Sequence, residues 1–293
     1  CTADNLLYGG LDFRKHGIPA CVHHTFAHAK VMADVLSMGR IPVPNLDSAK
    51  LPREKEYGVK FFDEIQTALV SVGDYRATVT GYDLDYYNLK NGHASGGAIS
   101  MLWHKKAGPI IAASLNDYTL VEPENMQAER GMSFVGLTPR IEADIEGIKY
   151  RNISDFNADM KVSKSDGNVL VETASNLVDA NQNSNWRGKM SAKTLYEFAP
   201  SGVTLKFACK SKSKSVRPRI IFPIISAEDE RVDWLSENRL TITKKNCVLE
   251  VSCDKPMRVL PVGGGRAFNY VPGSEALPLF VESGDASVKV RVV

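Results

Sequence analysis

The stretch that decides the fold is residues 91–114, NGHASGGAISMLWHKKAGPIIAAS. Two short apolar runs, AISMLWH and GPIIAAS, lie on either side of a Gly-containing turn at residues 105–108. Short runs rich in β-branched and aromatic residues around such a turn predict a β-hairpin. Glycines precede and follow His93, so we expect its imidazole to face an open cleft. The alternative is a histidine at a strand start that is bonded to a neighbouring carbonyl.

Short runs that are typical of β-strands continue through the chain after residue 57. The runs VTLKFAC, CVLEVSC and ASVKVRVV alternate apolar and polar residues. This period of two predicts antiparallel strands with one buried face, and many such runs at short spacing favour a sandwich. The sequence therefore predicts a mainly β fold: a large antiparallel β-sandwich (supersandwich) preceded by a short α-helical segment. Residues 228–238, EDERVDWLSEN, lack the alternation and predict a short helix or a polar excursion.

The best helix candidate is residues 22–38, VHHTFAHAKVMADVLSM. Apolar residues recur there at three- and four-residue spacing, at Val22, Phe26, Ala29, Ala33 and Leu36. We therefore expect a helical segment over residues 1–40 and an antiparallel β-sandwich over residues 41–293. The sequence pattern changes near residues 137–160, which predicts a soft internal boundary there.

Composition narrows the function classes. The 36 basic and 34 acidic residues give a net charge of +2, which argues against a general nucleic-acid binder. No apolar run is long enough to predict a membrane span. The five cysteines form no CxxC pair, so free thiols are favoured over a zinc ribbon. The alternating run Lys210–Ser215 is either a solvated loop or a contact for an anionic ligand such as an acidic sugar chain.

The segment before the hairpin, TGYDLDYYNLKNGH, gathers the candidate chemical groups. Tyrosine, histidine and amide side chains are suited to removing a proton next to a carboxylate and to holding the resulting charge. The same segment carries Asp83 and Asp85, about 7 Å apart by strand rise, as the two carboxylates that a glycoside hydrolase needs. Two acids on one strand are more often a solvated face, so hydrolysis ranks behind proton abstraction.

Two stretches carry a resemblance to a known family. NGHASGGAISMLWHKKAGPIIAAS resembles the signature hairpin of the heparinase II/III-type polysaccharide lyases, and CVHHTFAHAKVMADVL resembles the last inner helix of their α/α toroid. The resemblance covers residues 20–125 by motif. It implies that the chain is the C-terminal β-sandwich portion with the last toroid helix. We expect the rest of the toroid domain upstream of Cys1, because the sequence opens without an initiator Met.

The resemblance also implies an activity and its residues. The enzymes cleave uronic-acid-containing glycans by β-elimination, so the expected partner is an acidic polysaccharide. His93 would neutralise the sugar carboxylate or position the substrate, and Tyr87 or Tyr86 would act as the base or contact a subsite. Asn91 and Arg76 would bind substrate, Arg76 through a bidentate pair with a sugar carboxylate. The alternative for Arg76 is an ion pair at the strand edge with a neighbouring aspartate.

The helix contributes His24 and His28, which share one face and have a spacing able to hold a metal. The zinc-protease pattern needs Glu after the first histidine, and Thr25 stands there. These histidines either line the seam between helix and sandwich or contact substrate from the toroid side. Family members often carry a second histidine where this chain has Ser95, in some cases as part of a structural zinc site. No metal ligand or cofactor is therefore assigned, and a structural divalent metal is left open.

One further interpretation of function remains open at the level of sequence. A non-catalytic sugar-binding or structural β-sandwich module of a larger glycan-degrading enzyme would have the same strand pattern. By analogy with polymer-degrading lyases, we expect a secreted or periplasmic protein.

Overall fold

The computed structural model describes residues 22–39, 54–82, 94–116, 135–185, 189–212, 216–262, 265–269 and 273–293, without the side chains of residues 22–28. The predicted fold class is confirmed, because antiparallel strands follow a short helix. Helix α1 spans Val22–Ser37, as the apolar spacing predicted. Among the described residues, no helix has the length and apolar character to cross a membrane.

The first sheet is a five-stranded meander in sequence order. Its strands are β1 (Gly58–Phe62), β2 (Thr67–Val72), β3 (Tyr75–Thr80), β4 (Ala98–His104) and β5 (Gly108–Ala112). The predicted hairpin is the β4–β5 pair, and Gly108 after its turn has a φ of 71°. A positive φ costs glycine nothing, which explains this residue at the turn.

The other strands form three further antiparallel sheets. In chain order they are β6 (Arg140–Ile145), β7 (Ile148–Arg151), β8 (Asp159–Ser165), β9 (Asn168–Asn176), β10 (Met190–Ala199), β11 (Gly202–Ser211), β12 (Arg219–Ile221), β13 (Ile224–Ile225), β14 (Val232–Ser236), β15 (Arg239–Thr243), β16 (Val248–Cys253), β17 (Arg258–Val259), β18 (Ala267–Asn269), β19 (Ser274–Leu277), β20 (Leu279–Val281) and β21 (Asp285–Val292). The sheet orders are β14-β15-β16-β21-β11-β10-β9-β8, β17-β20-β12-β6-β7 and β13-β19-β18.

The main core lies between the first sheet and the eight-stranded sheet, where β2 packs against β9 and β10. Alternate residues of β10 are buried along the strand, including Tyr196 and Phe198. They meet Val70 and Val79 of the first sheet in one continuous apolar cluster. Removing this apolar surface from water is the main stabilising contribution, at about 25 cal/mol per Å². The architecture is a β-sandwich, and strands such as β10 have the alternating burial that the period of two predicted.

Two local expectations have clear outcomes. Cys209, Cys247 and Cys253 are free thiols, as predicted. The interpretation of residues 228–238 as a helix or an excursion is wrong, because Val232–Ser236 forms β14. Among the described strands it lies at the edge of the eight-stranded sheet and pairs with β15 alone, and Trp234 is exposed. An edge strand that is exposed on both faces lacks the alternation that marks a half-buried strand.

Candidate functional site

Most of the predicted site residues lie outside the described residues. These are His93, Tyr87, Tyr86 and Asn91, together with the side chains of His24 and His28 on α1 and the carboxylates of Asp83 and Asp85. Their roles stay predictions. Among the predicted site residues, the structure describes only Arg76, and it describes both ends of the segment that carries His93.

Both ends of segment 83–93 are attached to the same short stretch of chain. Tyr82, just before the segment, forms an isolated antiparallel bridge with Asn157. Just after it, the Ser95 amide donates a hydrogen bond of 2.9 Å to the Ile153 carbonyl. Residues 152–154 form a 3-10 turn and all three are buried, so Ser95 bonds to a well-packed part of the chain. Tyr82 and Ser95, on the two sides of segment 83–93, therefore both contact residues 153–157, and we call this contact region the anchor.

The glycines after His93 serve close packing. Gly96 and Gly97 have φ angles of 64° and 75°, and residues 95–98 are buried. A Cβ on Gly96 would overlap the backbone carbonyl of Asn152, and one on Gly97 would overlap the side chain of Thr173. The expected open surroundings are therefore absent at residues 95–98, because backbone and side chains from β9 and the 3-10 turn fill the space that the glycines leave.

A fully buried tyrosine completes this anchor. The Tyr196 hydroxyl donates to the Gly97 carbonyl at 2.9 Å and accepts from the Ile99 amide at 3.2 Å. Burial raises the pKa of Tyr196 well above its usual value, so the hydroxyl keeps its proton and its role is structural. The Ser95 hydroxyl oxygen is also buried and has no hydrogen-bond partner in the described part of the chain.

An arginine-lined pocket of about 240 Å³ lies next to this anchor. Asn116, just after β5, connects the two. Its side-chain amide donates to the Ile153 carbonyl at 3.3 Å, and its own carbonyl accepts from Arg151 Nη1 at 3.1 Å. The lining residues are Leu115, Asn116, Val135, Gly136, Arg140, Glu142, Lys149, Arg151, Arg219, Ile221, Leu260 and Asn269.

The arginines of this pocket lie around one carboxylate, that of Glu142. Glu142 accepts from Arg140 Nε at 2.6 Å and from Arg219 Nη2 at 2.7 Å, and Arg151 Nε lies 3.9 Å away. Burial alone would raise the pKa of Glu142, but the guanidiniums of Arg140 and Arg219 outweigh it and hold this pKa at about 2. Glu142 is therefore ionised at neutral pH, with more than one positive partner.

Arg76 lies in a different groove, of about 650 Å³. It faces Trp103 across the β3–β4 pair, and its Nη1 donates to the carbonyls of Gly73 and Tyr75 at 2.7 Å. The groove is lined by Glu54, Lys55, Glu56, Gly73, Asp74, Arg76, Trp103 and Lys105. Three of these are cationic and three anionic, so the groove has no excess charge. Its apolar feature is the half-buried Trp103.

The register of the first sheet separates Arg76 from the hairpin anchor. Arg76 pairs with Trp103, whereas Thr80, at the end of β3 nearest segment 83–93, pairs with Ala98. Four residues of strand correspond to about 13 Å. Arg76 therefore lies about 13 Å along the strand from Thr80, the end of β3 that is nearest segment 83–93.

Sequence reasoning missed the arginine pocket. Arg140, Glu142 and Arg151 come from the β6–β7 hairpin, and Arg219 comes from β12, its neighbour in the sheet. Charged residues next to Ile141 and Ala143 gave one weak signal, since a charge in an apolar run is either solvated or paired. Within the described residues, no group of His, Cys, Asp and Glu is arranged to hold a metal ion.

Comparison with known proteins supplies the family. Residues 59–293 match the ulvan lyase C-terminal domain, and residues 1–54 match the ulvan lyase N-terminal domain. A broad-specificity ulvan lyase from Formosa agariphila is 36% identical over 288 residues, which are 95% of this chain and 44% of that protein. The chain thus spans less than half the length of this relative.

Solved structures give only weak likenesses. A 4-alpha-glucanotransferase from Thermococcus litoralis matches with a TM-score of 0.46 and 9% identity, over 82% of this chain and 40% of that one. A galactose mutarotase-like protein from Clostridium acetobutylicum matches with a TM-score of 0.40 and 10% identity, over 80% of this chain and 97% of that one. The domain match over residues 59–293 covers most of the chain, and it shows that the chain belongs to the ulvan lyase family of polysaccharide lyases.

Proposed function

We propose that this chain is the β-sandwich portion of a polysaccharide lyase that cleaves uronic-acid-containing glycans by β-elimination. The match of residues 59–293 to the ulvan lyase C-terminal domain carries this proposal. The relative from Formosa agariphila supports it, since that protein is a broad-specificity ulvan lyase. The partner is then an acidic polysaccharide.

The mechanism assigns roles to the segment between Tyr82 and Ser95. The proton removed lies next to a uronic carboxylate, so neutralising that carboxylate stabilises the charge that develops. His93 neutralises the carboxylate or positions the sugar, Asn91 adds a hydrogen bond, and Tyr87 or Tyr86 takes the proton. Fixed attachment points at both ends of the segment support such a role, because small displacements of reacting groups lower the rate steeply.

The larger architecture belongs to the same proposal. We infer that α1 is the last helix of an upstream α/α toroid, in the manner of the heparinase II/III-type lyases, with residues 41–293 as the sandwich. The histidines His24 and His28 then lie at the toroid side of the substrate groove. Because the substrate is a polymer found outside cells, we propose a secreted or periplasmic location.

The test uses the longer protein that carries this chain. Wild type and His93→Ala are incubated with several uronic-acid polymers, and the ultraviolet absorbance of the unsaturated product is followed. We expect His93→Ala to lower kcat about 10²- to 10⁴-fold, the usual contribution of a group that handles charge or protons. The melting temperature should stay unchanged. Unchanged turnover would remove His93 from the mechanism.

His104 provides a matched control. It is buried, its ring lies 4.6 Å from that of Tyr75, and its Nδ1 accepts from the Lys106 amide. His104→Ala should therefore lower the melting temperature while the folded enzyme keeps its kcat. New reducing ends without the ultraviolet signal would instead indicate hydrolysis.

The Trp103 groove favours a second candidate, a glycan-binding module without chemistry. A half-buried indole beside Arg76, in a groove of balanced charge, is suited to stacking a sugar ring while the guanidinium binds its polar groups. Glycan binding without product formation in the longer protein, lost in Trp103→Ala, would support this candidate over the lyase.

A further inference from the structure

We propose that the pocket formed by Arg140, Arg151, Arg219 and Lys149 is an oxyanion subsite. On the glycan it takes a carboxylate or a sulfate ester, and this part of the inference rests on the proposed lyase function. The affinity for an oxyanion itself follows from the pocket alone. Arg76, the predicted site residue that the structure describes, lines the other groove and not this pocket.

The first argument is charge. Four cationic side chains and one carboxylate, Glu142, line the pocket, which gives an excess of three positive charges among the described residues. The side chains of Arg140, Arg151 and Glu142 are only 8%, 7% and 6% exposed. Cationic side chains therefore outnumber carboxylates among the described residues that line the pocket. An anion in the pocket would remove the excess.

The second argument is the donors that remain. Arg140 uses Nε for Glu142 and Nη1 for the carbonyls of Gly136 and Thr138. Its Nη2 has no hydrogen-bond partner in the described part of the chain, although the residue lines the pocket. Burial lowers the pKa of Arg140, and Glu142 opposes this effect, but the guanidinium remains charged at neutral pH. Arg140 therefore brings a charged guanidinium group to the lining of the pocket.

The third argument is size and chemical match. A volume of about 240 Å³ corresponds to roughly eight waters at their liquid volume, which is enough for a sulfate or for a carboxylate with part of its sugar. Guanidinium groups bind such planar or tetrahedral oxyanions through paired N–H donors. The pocket also adjoins the anchor of the His93 segment through Asn116 and Ile153. A sugar bound at that segment would have a neighbouring charged group within reach.

The test compares two matched arginines. Arg219 pairs with Glu142 at 2.7 Å with 38% of its side chain exposed, and Arg239 pairs with Glu250 at 2.6 Å with 47% exposed. Arg219→Met removes a pocket cation, whereas Arg239→Met removes an equivalent ion pair outside the pocket. Lys149→Gln is a milder pocket variant, since Lys149 is exposed and its loss leaves the Glu142 pairs intact.

Calorimetric titration of the longer protein supplies the readout. The probes are inorganic sulfate, a sulfated glycan without uronic acid and an unsulfated polyuronate. We expect Arg219→Met to weaken binding about ten-fold, the loss typical of a hydrogen bond to a charged group. Lys149→Gln should weaken it about three-fold, as for an exposed charge. Arg239→Met should bind as wild type does. The glycan that responds identifies sulfate or carboxylate as the group bound.

The outcomes separate this inference from the lyase proposal. If both pocket variants bind every probe as wild type does, the subsite is refuted even where the enzyme cleaves glycan. If wild type cleaves no acidic glycan but binds sulfate in an Arg219-dependent manner, the lyase proposal fails and the oxyanion site is supported. Should Arg219→Met fail to fold, Lys149→Gln decides the matter alone.

Discussion

Replacing Gly96 with alanine tests whether β4 begins in a tightly packed place. Gly96 has a φ of 64°, and the added Cβ would overlap the Asn152 carbonyl and lie 3.0 Å from the Ile153 Cα. All of these neighbours are backbone atoms, so no side-chain rotation can relieve the overlap. The start of β4 or the 3-10 turn must move instead, and the anchor of the His93 segment moves with it.

The magnitude has two parts. A left-handed backbone conformation costs a non-glycine residue about 1–2 kcal/mol. Overpacking against atoms that cannot rotate adds about 1–3 kcal/mol. Gly108→Ala isolates the first part, because Gly108 has a φ of 71° and nothing lies within 4 Å of its added Cβ. We therefore expect Gly96→Ala to reduce the free energy of unfolding by about 2 kcal/mol more than Gly108→Ala does.

Urea denaturation of the two variants and wild type, followed by tryptophan fluorescence and far-ultraviolet circular dichroism, measures this difference. The lyase assay then adds a functional readout. We expect Gly96→Ala to lower kcat of the folded protein and Gly108→Ala to leave kcat unchanged, because a displaced anchor displaces His93. Equal stability losses for the two variants would refute the close packing that we describe at this position.

Two further predictions concern buried polar groups. Tyr196→Phe removes two hydrogen bonds at the start of β4 and should destabilise the protein by about 1–3 kcal/mol, measured by urea denaturation, since it leaves buried backbone groups unpaired. Tyr150→Phe, at a tyrosine that is also buried, should cost less. The pKa of Glu142 falls from 4.5 to about 2 on folding, so this carboxylate stabilises the protein by roughly 3 kcal/mol above pH 4.5, and the contribution is lost as pH falls towards 2. Stability measured over this pH range should decline less in Glu142→Gln than in wild type, and equal slopes would contradict the assignment.

Much of the fold follows from the sequence because its signal is local. Alternation along β10 or β21 depends only on which face of a strand is buried, and the β4–β5 turn depends only on a short run of residues. The interpretation of β14 was wrong because its burial is set by its position at a sheet edge, which is a property of the assembled sheet. Local patterns therefore predict central strands well and edge strands poorly.

The glycines near His93 show the same limit for the site. From sequence, glycine indicates either open space or a close approach, and both interpretations fit Gly96 and Gly97. The choice depends on Asn152 and Thr173, which are more than fifty positions away in the chain. The role of segment 83–93 stays a prediction, and only the packed structure shows that the chain just after it, at residues 95–98, is closely packed.

The net charge of the chain likewise does not predict the charge at one place on the folded protein. A net charge of +2 over 293 residues suggests no strong preference for polyanions. Folding brings Arg219 of β12 beside Glu142 of the β6–β7 hairpin, and the lining residues that the structure describes then have an excess of three positive charges. Solvent screens exposed charges from one another beyond about 10 Å. A net charge near neutral therefore does not count against the proposed binding of an acidic glycan.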